Sequence, residues 1–170
     1  QNYGINLKQK KNLIEGRLTN VIIEKGFNNF GDYIRTVTAD KSGQEATLLI
    51  NKLTTNHTFF MREASHFQYF SDKVLPQLVQ QTSERDLRIW SAGCSSGEEP
   101  YTLAMFLQEY FGEQKSKWNT QVLATDISVR AIEEGERGVY AKEALEHLPA
   151  LWKLQYFEKL QAEKYQITDK

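Results

Sequence analysis

Small residues, acids and one arginine fall at spacings that suit chemistry on a nucleoside. Residues 87–107 read LRIWSAGCSSGEEPYTLAMFL. Gly93 and Gly97 lie four apart in a run of small residues, where a backbone can turn tightly and approach a ligand closely. A turn that is merely structural is the plainer alternative. Asp126 closes a second apolar run, QVLATD, 29 residues after Gly97. An acid at the end of a second strand is placed to accept hydrogen bonds from a ribose diol; capping of a helix beginning near Ser128 is the alternative. Glu98 and Glu99 beside the turn would repel a pyrophosphate. A cationic nucleoside such as S-adenosylmethionine suits the turn better, and a nucleotide-dependent oxidoreductase is disfavoured. The three-glycine dinucleotide fingerprint is also absent. Arg62 is a second feature, because its guanidinium can grip a carboxylate with two prongs; a surface ion pair is its plainer use.

The elements that must position these groups follow from periodicity. Leu87, Ile89 and Trp90 read as a buried strand over 87–92, and Glu98-Glu99-Pro100 opens a helix over 98–111. Acids and proline in a first helical turn complement its free N–H groups and dipole. Glu98 is expected as a surface acid. Leu103, Met105, Phe106 and Leu107 form the apolar face. A second strand over 121–126 and a helix from 128 to about 136 follow, then a break at residues 137–140. Short helices around 142–147 and 150–157 come next, and residues 165–168 could form one more strand or a frayed tail.

Upstream, Leu7, Ile14, Leu18, Val21 and Ile22 share one face of a helix over 7–25, which Gly26 ends as a C-cap. A second helix spans 30–38. Ser42 and Glu45 form a capping box for a third, carrying Leu48, Leu49, Ile50 and Leu53. The polar stretch 54–58, TTNHT, is the linker. A helix over 63–81 then turns Phe67, Phe70, Val74, Leu75 and Leu78 inward, with a kink or break at Pro76. The expected fold is α/β: a small all-α bundle followed by the first part of a Rossmann-like domain with an incomplete parallel sheet. The expected boundaries are 1–54, 55–82 and 83–170.

Composition narrows the function classes. Residues 1–62 hold nine Lys/Arg and five Asp/Glu, a net +4, so the rest carries −5 of the total −1. That excess suits an acidic partner or a solvated surface and is too small to argue for nucleic acid. No 18-residue apolar run is present, so no membrane insertion is expected. The lone Cys94 permits no internal disulfide and is consistent with a cytoplasmic location; at a helix N-terminus its thiol could be acidified, although filling the turn is its plainer use. With three scattered histidines it makes no metal site. His57 and His66 are read as solvated or packed, and Trp90 and Tyr101 as core in preference to cofactor stacking.

SAGCSSGEEPYTLAM, with LATDIS after it and TTNHTFFMRE before it, closely resembles the CheR family of chemotaxis-receptor glutamate O-methyltransferases. The three motifs keep the family's order, and the likeness runs from about Leu13 to the end of the chain. The resemblance implies S-adenosylmethionine as cofactor, S-adenosylhomocysteine as product, and the cytoplasmic domain of a methyl-accepting chemotaxis receptor as partner. It implies that Glu99 faces the cofactor, and that Asn56, Thr58 and Arg62 lie near its methionine end and the incoming carboxylate. Asn56 and Thr58 could otherwise simply turn the linker. Lys10, Lys11 and Arg17 become the receptor-docking candidates. Met61 departs from the aromatic residue usual at that place.

Methyl transfer to a carboxylate needs no general base, since a glutamate is already an anion at neutral pH. Only two parallel strands are convincing, and the family continues with further strands and site residues. The expectation is therefore a C-terminally truncated chain, itself inactive, with self-association, a disordered remainder or marginal stability. The alternative function is a cofactor- or partner-binding module that methylates nothing.

Overall fold

The computed structural model describes residues 9–54 and 56–168, in two compact units. One unit runs through residue 55 and takes in Ile127–Arg130; the other comprises Asn56–Asp126 and Ala131–Lys170. Leu7 and Thr55, assigned above to a helix and a linker, lie outside the described residues.

The first unit contains three helices, α1 (Lys11–Glu24), α2 (Phe30–Ala39) and α3 (Gln44–Leu53). Leu18, Val21, Ile22 and Tyr33 form its core, with Phe27, Leu48, Leu49 and Leu53 packed around them. The expected C-cap is present as a full Schellman motif. Gly26 is left-handed, its N–H bonds the Ile23 carbonyl, and the Phe27 N–H bonds that of Ile22. The capping box at α3 is not. Asp40 does that work instead: one carboxylate oxygen accepts from the Glu45 N–H at 2.9 Å and the other from Ser42. Glu45 is thereby released to pair with Lys25 at 2.5 Å.

In the second unit, α4 (Ala64–Tyr69) passes through a π-helical turn, Phe70–Val74, into α5 (Leu75–Gln81). Pro76 cannot donate to the helical ladder, and the wider turn absorbs the break expected there. Phe67 and Leu75 are buried as expected, but Leu78 is 36% exposed. Strand β1 (Ile89–Ala92) pairs in parallel with β2 (Val122–Thr125), Ile89 opposite Val122 and Ala92 opposite Thr125. Between them runs α6 (Glu98–Phe111), with the bounds the sequence predicts. Its Leu107 and Phe111 pack with Leu75 and Leu87, and Ile89 and Val122 lie against that cluster.

Helix α7 (Val129–Arg137) is followed by β3 (Val139–Ala141), α8 (Ala150–Tyr156), β4 (Phe157–Lys159) and β5 (Lys164–Ile167). The last three strands form an antiparallel sheet in the order β3-β5-β4. Residues 137–140 are thus not simply a break, and 165–168 lie mainly in a strand. Met105 of α6 joins Phe60, Tyr140, Leu148, Trp152, Tyr156 and Phe157 in a second core. Trp90 is not core: it is 65% exposed beside Leu123 at 61%, and its indole N–H bonds the Thr125 hydroxyl at 2.9 Å. These two side chains alternate away from the strand face that α6 covers.

Candidate functional site

The turn after β1 is fastened to the end of β2 by backbone hydrogen bonds. The N–H groups of Gly93 and Cys94 both reach the Thr125 carbonyl, at 2.7 and 2.9 Å. Ser95 adopts a left-handed φ of 49°, and its N–H donates to Asp126 Oδ2 at 2.8 Å. The Asp126 carboxylate is therefore held at the carboxyl ends of two parallel strands. Gly93 has φ +89°, and a Cβ built on it would meet nothing within 4 Å. Its backbone is bare toward solvent, which leaves room for a flat ligand to lie against it.

Gly97 is the opposite case. At φ +95°, an added Cβ would sit 3.0 Å from both the Tyr101 ring and the Tyr140 hydroxyl, and 3.2 Å from Gly135 Cα. It serves close packing of the turn against α7 and β3, where Gly135 in turn has no room beside Ser96.

The two acids at the start of α6 divide. Glu99 is exposed, and one of its oxygens accepts from the buried Ser91 hydroxyl at 2.7 Å. Glu98, expected at the surface, is only 5% exposed and takes the Ser96 hydroxyl at 2.8 Å. Consecutive residues point about 100° apart on a helix, so one acid faces out when its neighbour faces in. Burial raises the Glu98 carboxyl above its ordinary value. The Cys94 thiol is also buried and is pushed up, first by desolvation and then by Asp126, which agrees with its plainer use as a small residue filling the turn.

The segment carrying Asn56, Thr58 and Arg62 is anchored at three points. Asn56 offers its carbonyl to the Ser95 hydroxyl at 3.2 Å, which brings it to the turn. Phe60 is fully buried against Tyr140 and Phe157, with ring centroids 4.8 and 5.3 Å away. The Met61 N–H lies 3.5 Å from the Thr102 hydroxyl. Met61 and Glu63 both have left-handed φ, 63° and 59°. Such conformations cost energy in L residues and persist where surroundings fix them. Arg62 between them is exposed, donates from Nη1 to the His57 carbonyl at 2.6 Å, and has no acidic partner among the described residues. Thr58 is half-buried.

Asn56, Gly93, Gly97 and Asp126 are thus gathered around one turn, with Glu99 on its helix. A cavity of about 980 Å³ lies between α6, β2 and α7, lined by Tyr101, Gln108, Trp118, Gln121 and Ile132 among others. Of the expected cofactor residues only Gly97 borders it. Tyr140, which sequence reasoning passed over, donates to the Ser96 carbonyl at 2.8 Å. Its place beside the turn depends on sheet pairing that no local pattern signals.

In the other unit, Lys10 and Lys11 are exposed, Lys11 lying 3.6 Å from Glu15. Arg17 instead reaches the carbonyls of Leu53 and Thr54 at the end of α3, both at 2.8 Å. Among the described residues no helix is long and apolar enough to cross a membrane, and no group of acids, histidines and cysteine could hold a metal ion.

Residues 56–170 match the family described as CheR methyltransferase, SAM binding domain, and residues 1–54 its all-alpha domain. The chain is 42% identical to the chemotaxis protein methyltransferase of Borreliella burgdorferi, over 99% of this chain and 61% of the relative. It is 34% identical to that of Escherichia coli K12, over 87% of this chain and 49% of the relative. A probable chemotaxis protein methyltransferase of Rhizobium etli is 32% identical, over 98% and 64%. The chain thus spans about half to two thirds of the length of these relatives. The bare Gly93 backbone, the exposed Glu99 and the strand-end Asp126 leave the turn open and lined by carboxylates. An all-α domain followed by an S-adenosylmethionine-binding domain places this chain in the CheR methyltransferase family, with S-adenosylmethionine as its cofactor.

Proposed function

We propose that this chain binds S-adenosylmethionine at the carboxyl ends of β1 and β2 and serves methyl transfer to glutamate side chains of chemotaxis receptors. The observation that carries the reading is the pairing of a bare, left-handed Gly93 with Asp126, one at the end of each parallel strand. Ligands of open α/β sheets sit beyond the carboxyl ends of the strands. That geometry favours the turn over the 980 Å³ cavity, which Gly93, Glu99 and Asp126 do not border.

The cofactor supplies a methyl group on a sulfonium, already activated for transfer to an oxygen anion. Asp126 accepts hydrogen bonds from the ribose hydroxyls. Glu99, braced by Ser91, offers negative charge to the cationic part of the cofactor. Asn56 and Thr58 border its methionine end, and Arg62 presents N–H donors to the incoming carboxylate. A carboxylate held by a guanidinium stays ionised and is oriented, which converts an encounter into an aligned displacement. In this reading residues 1–54 dock the receptor's cytoplasmic domain through Lys10, Lys11 and Arg17, residues 55–82 connect, and residues 83–170 bind the cofactor. The setting is cytoplasmic.

The chain is tested with methyl-labelled S-adenosylmethionine and a receptor cytoplasmic fragment rich in glutamate. Base-labile label on the fragment supports the methyl-ester reading. Tight binding of S-adenosylhomocysteine with no transferred label points instead to a binding module.

A further inference from the structure

Tyr140 stands on β3, outside every motif that identified the site, yet it touches the cofactor turn directly. Its side chain is 5% exposed, and its hydroxyl donates to the Ser96 carbonyl at 2.8 Å. The Ser96 hydroxyl donates in turn to Glu98 at 2.8 Å, so both the main chain and the side chain of Ser96 are fastened. The residue before it, Ser95, holds φ at 49°. That conformation costs an L residue about 1–2 kcal/mol and persists only where its neighbours hold it. It is also the conformation that aims the Ser95 N–H at Asp126 Oδ2, 2.8 Å away.

We propose that Tyr140 is a positioning residue for the cofactor, its hydroxyl holding Ser96 so that Ser95 directs the Asp126 carboxylate. The inference rests on the reading of Asp126 as the ribose-binding group. Burial, and then the neighbouring Glu98, push the Tyr140 hydroxyl well above its ordinary value, so it remains a donor at any pH the fold meets. The same ring packs edge-on against Phe60 at 4.8 Å, which anchors the segment carrying Asn56, Thr58 and Arg62. One side chain of the antiparallel sheet therefore sets both the turn and the loop facing it.

The test is Tyr140→Phe, which keeps the ring contacts with Phe60 and Phe157 and removes only the hydroxyl. Trp152→Leu serves as a control that loosens the same core at Phe106 and Tyr156, away from Ser96 and Phe60. Two readouts are compared in the whole chain: hydrogen exchange at the Ser95 amide, and calorimetric affinity for S-adenosylhomocysteine. Loss of one buried hydrogen bond corresponds to about a three- to tenfold effect. Tyr140→Phe is expected to speed Ser95 exchange and to weaken binding by about that factor, while Trp152→Leu lowers the melting temperature and changes neither readout. Unchanged Ser95 exchange and affinity in Tyr140→Phe would overturn the inference, and so would equal losses in Trp152→Leu. If Ser95 exchange quickens as predicted but Asp126→Ala binds like the unaltered chain, the turn is positioned by Tyr140 and the ribose reading is what fails.

Discussion

Gly93 and Gly97 have nearly the same φ, +89° and +95°, and opposite surroundings, so alanine at each separates packing from ligand approach. Alanine at Gly97 carries two costs. A left-handed φ costs an L residue about 1–2 kcal/mol. A methyl group 3.0 Å from Tyr101 and Tyr140 and 3.2 Å from Gly135 overpacks the junction, at about 1–3 kcal/mol. The sum is a loss of about 2–5 kcal/mol for Gly97→Ala. Alanine at Gly93 meets no atom within 4 Å and bears only the backbone cost of about 1–2 kcal/mol. Its methyl group projects where the cofactor is proposed to lie, so affinity for S-adenosylhomocysteine should fall by about tenfold or more, a loss of at least about 1.4 kcal/mol. Urea denaturation gives the first quantity and calorimetry the second. Equal stability losses in the two variants would refute the packing argument at Gly97. Undiminished binding by Gly93→Ala would refute close approach of the cofactor at that glycine.

Three further outcomes follow from particular contacts. Burial holds the Glu98 proton more tightly in the folded than in the unfolded chain, so the stability it adds is full below the ordinary value of 4.5 and is lost as pH rises through the folded value. Glu98→Gln lacks that dependence and should gain on the unaltered chain between about pH 4 and about pH 7.5; parallel urea curves at both pH values would contradict this. Arg17→Ala removes two charge-assisted hydrogen bonds to the end of α3 and should cost about 1–2 kcal/mol, measured by denaturation followed on the helical signal. A loss within about 0.3 kcal/mol would show that water replaces them. Arg62→Ala should reduce label transfer to a receptor fragment far more than affinity for S-adenosylhomocysteine, and equal losses would point to a cofactor or folding role.

What could be read from the sequence was local. Helix α6 has the predicted bounds because its start is written in Gly97-Glu98-Glu99-Pro100 and its end in Gly112. The Gly26 C-cap was legible for the same reason: a left-handed glycine followed by an apolar residue closes a helix without distant help. Strand β4 was missed because three residues, only the first of them buried, leave no period to recognise. Strand β3 was read as a break because Gly138 precedes it, and its identity as a strand comes from pairing with β5, 25 or so residues on. The capping box at Ser42 failed because Asp40, five residues before Glu45, outcompetes the serine with a charged acceptor. Glu98 and Glu99 are indistinguishable as letters. Which of them is buried depends on Ser96 and Tyr140, and Tyr140 arrives from 42 residues away. Trp90 reads as core because it stands in an apolar run of strand length, whereas its side chain is 65% exposed.

The central claim is that the ends of β1 and β2 recognise S-adenosylmethionine through Asp126, and the most direct measurement is calorimetric titration of S-adenosylhomocysteine into the chain and its Asp126→Ala variant. Hydrogen bonds to a carboxylate are worth about 1.5–3 kcal/mol, so one-to-one binding that weakens by roughly ten- to a hundredfold in the variant is the expected result. Equal affinities in the two proteins, or no heat from the unaltered chain, would contradict it.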